Sequence, residues 1–195
     1  MVHPGYRSTL FDNPKKNVRT HQSLGTIGLI LAGIVAGSAF AIIPKNIDNV
    51  KELDINGFFN PTFAYFATLI DFVLILMFVI SVGLAILSIK KKILSDHVQW
   101  LMASVFFVLS PGLARLMGLI AITVNKGNME GISLEKLAIP TAIVMLVLIV
   151  FYYYKYGSFR HLSFILSVIS LIPSFFVTQI GNNEYFRNIV TAIFK

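Results

Sequence analysis

Residues 62–100 read TFAYFATLIDFVLILMFVISVGLAILSIKKKILSDHVQW. The first 28 of them, through Ile89, hold a single charged side chain, Asp71. As a helix that run is about 42 Å long, more than the ~30 Å hydrocarbon thickness of a bilayer. Its apolar residues are continuous rather than alternating, so a transmembrane helix is predicted and not a barrel strand. Lys90-Lys91-Lys92 ends it, and a second apolar run begins near His97. The pair reads as two antiparallel membrane helices joined by a short basic turn.

Three further runs of the same kind lie on either side. The expected spans are 24–43, stopping at Pro44-Lys45; 62–89, opened by Pro61; 97–124; 137–154; and 162–179. The fold class is therefore all-α, an integral membrane bundle of five transmembrane helices. It has a polar basic leader at 1–22, the bundle over 23–180 and a short amphipathic segment at 181–195. In that segment Phe186, Ile189, Val190, Ile193 and Phe194 share one helical face, which suits either a membrane surface or a docking partner. Pro111 and Pro173 fall within spans and should kink them. The first apolar run is too long for the core of a signal peptide.

Composition agrees. Of 195 residues, 56% are hydrophobic and only 13% charged, with a mean hydropathy of +0.77. That excludes a disordered chain and argues against a soluble domain. The absence of cysteine excludes disulfides, thiolate metal sites and cysteine nucleophiles. The net charge of +7 sits in the loops, so it signals topology and not a nucleic-acid partner. The N-terminal side carries Arg7, Lys15, Lys16, Arg19, Lys90, Lys91, Lys92, Lys155 and Arg160 against two acids, Asp12 and Asp96. The opposite side has six basic and six acidic residues. The expectation is an inner-membrane protein with its N-terminus in the cytoplasm and its C-terminus across the membrane. Trp100 and Tyr152-Tyr153-Tyr154 with Tyr156 fall where an interfacial aromatic belt belongs.

Small and polar residues mark the faces that helices turn toward one another in lipid. On the first span these are Gly25, Gly28, Ala32, Ala36 and Ala39, beside Gly33-x-x-x-Gly37. On the fifth they are Ser163, Ser167, Ser170, Ser174 and Thr178. On the third, Ser104 and Arg115 share a stripe with His97.

Asp71 and Arg115 each lie nine residues from the far end of consecutive antiparallel spans, both roughly 13 Å deep. A lone charge there costs several kcal/mol, so the two are expected to form a buried ion pair facing the bundle interior. The pair is either a clasp between helices or a site for a proton, an ion or an anionic substrate, as in a small transporter. His21 and His97 start helices on inward faces at one depth. They are the candidate cofactor ligands, for haem b or for quinone or a metal; an interfacial polar role is the alternative. His161 falls opposite the serine stripe and is set aside. No Ser–His–Asp set, HExxH motif, phosphate loop or carboxylate cluster is present, so the sequence leans away from an enzyme.

Arg19-Thr20-His21-Gln22-Ser23-Leu24-Gly25 and Lys91-Lys92-Ile93-Leu94-Ser95-Asp96-His97-Val98-Gln99-Trp100-Leu101-Met102 resemble paired helix starts, His-x-x-Leu-Gly and His-x-x-Trp-Leu/Met. In that order, over about residues 19–118, they resemble an uncharacterised family of small bacterial polytopic membrane proteins. They are more loosely similar to membrane proteins that assist oxidase assembly. The resemblance implies a non-catalytic subunit or assembly factor, working in the lipid bilayer with a membrane-protein partner or as a homo-oligomer. Family members carry a further membrane helix before the first His motif, where this chain has its polar leader.

Overall fold

The structure is a computed structural model that describes residues 14–52, 61–124, 134–176 and 183–193, with backbone alone at 14–22, 44, 46–52, 61–64, 134–136, 186–187, 190–191 and 193. The described residues form helices and no strand: α1 (Pro14–Glu52), α2 (Pro61–Lys90), α3 (Leu94–Val124), α4 (Leu134–Tyr156), α5 (Leu162–Ile169), a 3-10 turn (Ile172–Phe175) and α6 (Glu184–Ile193). α1 to α4 are long and apolar enough to cross a membrane, over Ser23–Ile43, Tyr65–Lys90, Leu94–Val124 and Leu137–Tyr156. The protein is an all-helical membrane bundle.

The chain divides into two compact units, 1–38 and 39–195, with the boundary inside α1. The described residues of the first unit all belong to α1, whose Leu24, Ile27, Ile30, Leu31 and Ile34 are exposed, as a helix solvated by lipid would be. α1 does not stop at Pro44-Lys45 but continues to Glu52. The loss of one N–H donor at Pro44 is tolerated where the rest of the turn stays helical.

In the second unit α2 and α3 form the main antiparallel pair. The buried positions Leu74, Phe78, Ser81, Ala85 and Ser88 of α2 recur at steps of four and three, the spacing of a coiled-coil seam. Ala85 and, on α3, Ala103 are wholly enclosed, and their small side chains let the backbones approach closely. On the other flank of α3, Phe106 packs with Ala142, Met145, Ile149 and Tyr153 of α4 and with Leu171 beyond α5. Gly157 closes the α4 end: a Cβ there would stand 2.7 Å from Tyr153 Cδ1 and 2.9 Å from Met102 Cε. α6 packs against α2.

The run expected as the fifth span differs from the other four. α5 has eight residues and gives way to the 3-10 turn around Pro173. Proline lacks the N–H that would continue the α-helix and clashes with the carbonyl four residues back. The apolar stretch Leu162–Phe175 is about 20 Å long, short of the ~30 Å core. Residues 177–179 lie outside the described residues, as do Phe194 and the side chains of Phe186, Val190 and Ile193 from the expected α6 face. The aromatic belt also needs correction. Trp100 and Tyr153 are 8% and 1% exposed and belong to the interior, while Tyr154 and Tyr156 are exposed. The phase of α4 separates them: Tyr153 continues the buried series Met145, Ile149, one turn apart.

The turn between α2 and α3 explains its own abruptness. Lys92 N–H donates to the Ile89 carbonyl and Ile93 N–H to the Ser88 carbonyl, the paired bonds of a Schellman cap. Lys92 occupies the left-handed position of that cap at φ 60°. A side chain there costs about 1 kcal/mol that glycine does not incur. Lys92→Gly should therefore raise the thermal midpoint of the detergent-solubilised protein by an amount equivalent to about 1 kcal/mol. Lys92→Ala, which removes the charge but keeps a Cβ, should leave it near the parent value; equal gains from both would assign the effect to charge.

Candidate functional site

α2 and α3 bring Asp71 and Arg115 into contact: Arg115 Nη2 donates to Asp71 Oδ2 at 3.3 Å. The antiparallel geometry and the common depth produce this meeting. The pair does not face the interior, however, and is not buried by the described helices. The Arg115 side chain is 69% exposed and that of Asp71 29%. Arg115 and buried Ser104 do share a stripe of the continuous helix α3, but the described helices cover that stripe at Ser104 and leave it open at Arg115. Beyond it Leu116, Leu119 and Ile120 are exposed, and Arg115 reaches sideways to α2 along this flank.

His97 is tied to the neighbouring helix. Its Nδ1 lies 2.9 Å from the Ala85 carbonyl of α2. A carbonyl only accepts, so Nδ1 carries the proton and, in the neutral ring, Nε2 keeps its lone pair. This is the orientation used by histidines that bind metals through Nε2. His21 lies on α1 in the first unit, and its side chain is outside the described residues. Among the described residues no three His, Asp or Glu side chains gather as a metal site.

The richest polar cluster joins α3, α4 and α5, and the sequence reading set aside its central residue. His161 caps α5: Ser163 N–H donates to His161 Nδ1 at 3.2 Å, and Ser163 Oγ lies 2.7 Å from the same nitrogen. Because Nδ1 accepts the amide, Ser163 donates its hydroxyl hydrogen to it, and the neutral ring carries its proton on Nε2. That nitrogen faces Asp96 Oδ1 at 3.9 Å. Tyr153 Oη donates to Ser163 Oγ at 2.7 Å and also lies 3.3 Å from the Gln99 carbonyl. Gln99 Oε1 accepts from Ser158 N–H at 2.9 Å, fastening the α4–α5 loop. Trp100 meets the His161 ring edge-on at 5.3 Å.

Asp96, His161 and Ser163 thus stand in the order of an acid, a base and a hydroxyl. The arrangement does not offer a nucleophile: Ser163 is fully enclosed and its hydroxyl is engaged on both sides. Of the expected serine stripe, Ser163 and Ser167 do line the interior. Ser167 and Ser170 donate to carbonyls of their own helix, at 2.8 and 2.7 Å. The signal for the cluster was present as His161-Leu162-Ser163, a polar cap immediately before an apolar run, but a helical-wheel projection leaves out a cap because it precedes the helix. No family model, curated protein or solved structure matches the chain.

If His161 acts as a cap, asparagine should replace it. His161→Asn keeps an acceptor for Ser163 N–H and should unfold within a few degrees of the parent. His161→Leu removes the acceptor and should lower stability by about 1 kcal/mol. Equal losses for both variants in thermal unfolding would show that the imidazole is needed for its ring or charge instead.

Proposed function

We propose that this is a small non-catalytic membrane subunit or accessory factor that works by lateral association within the bilayer. The observation that carries this reading is the Asp71–Arg115 pair: a guanidinium 69% exposed, within the apolar helix Leu94–Val124, on the flank of the α2–α3 pair. Hydrocarbon solvates such a group poorly, at a cost of several kcal/mol, and a protein neighbour relieves that cost. The resemblance of residues 19–118 to small bacterial membrane proteins supports the same reading. The basic excess on the N-terminal side supports an inner-membrane location with a cytoplasmic N-terminus.

A photo-reactive residue in place of exposed Leu116, irradiated in intact membranes, tests the association. A discrete protein adduct is expected, and it should be lost when Asp71 and Arg115 are both changed to leucine. Labelling of lipid alone would sink the reading.

One observation favours a second reading, a redox protein holding haem b or quinone. The bond from His97 to the Ala85 carbonyl sets Nε2 as a free ligand atom. His97 then fits as one ligand of such a group, with His21 the sequence candidate for the other. Protein purified from haem-replete cells should show a Soret band that His21→Ala or His97→Ala abolishes and His161→Ala does not. Colourless, iron-free wild-type protein would exclude the haem form.

A further inference from the structure

We infer that the neighbour covering this flank is a second copy of the same chain, packed α3 against α3 about a two-fold axis along the membrane normal; the inference rests on the association reading above. Three observations point to a self-complementary face. On α3, Val105, Leu109, Gly112, Leu116 and Leu119 are exposed at successive steps of four, three, four and three, the seam of a helix pair. Gly112, in the middle, has open space where a Cβ would stand, which permits close helix approach. Arg115 borders the seam, one turn from both Gly112 and Leu119, and its guanidinium has edges beyond the single bond to Asp71.

Charge decides between occupants. A lipid phosphate would meet Asp71 as well as Arg115 and would have to sink to mid-membrane. A second copy brings one cation and one anion, so the four charges sum to zero. Both copies insert in the same direction, so their axis must run along the membrane normal. Asp71 and Arg115 share one depth, and rotation about that axis therefore sets Arg115 level with Asp71 of the partner subunit. No other protein is needed to complete the pairing.

The absence of cysteine makes the test direct, because a single introduced cysteine can bridge only to another molecule. Leu116→Cys and Leu119→Cys, oxidised in native membranes, should give a species of twice 21.7 kDa. Val147→Cys, on an exposed face of α4, should give at least tenfold less. The exchanged variant, Asp71→Arg with Arg115→Asp, keeps a self-complementary pair and should still dimerise. Co-expressed with the parent chain, it would set like charges against each other, and mixed dimers should fall at least tenfold below either homodimer. Equal crosslinking from α3 and α4, or mixed dimers as abundant as homodimers, would overturn the inference. A Leu116 photo-adduct to a different protein, with the cysteine variants monomeric, would overturn it and leave the association reading intact. Loss of both kinds of adduct would end both.

Discussion

Hydrocarbon offers no water to complete a hydrogen bond, and the rest of this structure follows from that constraint. Backbone groups meet it by forming helices. Side chains meet it by tying helices together. His97 bonds the α2 backbone from α3. Tyr153 of α4 reaches Ser163 of α5 and the Gln99 carbonyl of α3, and Gln99 in turn holds the loop before α5. Each tie spends a polar atom on architecture. The cluster that most resembles catalytic equipment is therefore the least available for chemistry, because its hydroxyls are consumed where three helices meet.

The spans were legible because the length of an apolar run maps onto bilayer thickness through a fixed rise per residue. The same arithmetic placed Asp71 and Arg115 at one depth. What the arithmetic does not carry is how far along a face the neighbouring helices cover it. Arg115 continues the stripe of Ser104 along one helix, yet Ser104 is enclosed and Arg115 stands exposed on the flank. Pro44 and Pro173 make the complementary point. One is absorbed within a helix that continues to Glu52, and the other marks where α5 fails, so a proline alone does not say which will occur. The neighbouring turns decide.

Tyr153 and His161 were misread for related reasons. Tyr153 sits in a run of aromatic residues that composition assigns to the membrane interface. Only its phase with Met145 and Ile149 distinguishes it from Tyr154, and the stacking against Phe106 lies far away in sequence. His161 was judged by a face it does not occupy. An N-cap residue precedes the first helical turn, so its side chain folds back onto the following amides instead of projecting along the wheel. Reading polar residues just before apolar runs as caps first, and as ligands second, would have reversed the ranking of the histidines.

The two polar systems also differ in where they leave their energy. The His161–Ser163–Tyr153 cluster closes on itself within the bundle and fixes α3, α4 and α5 at the end where α3 begins and α4 stops. The ion pair closes only one edge of its guanidinium and stands farther along α3, where Leu116 and Leu119 are exposed. A bundle locked at one end can present the remainder of a helix as a rigid edge, and a rigid edge loses little conformational entropy on association. The enclosed cluster and the exposed ion pair are in that sense complementary: the first holds α3 still, and the second gives another helix a reason to meet it.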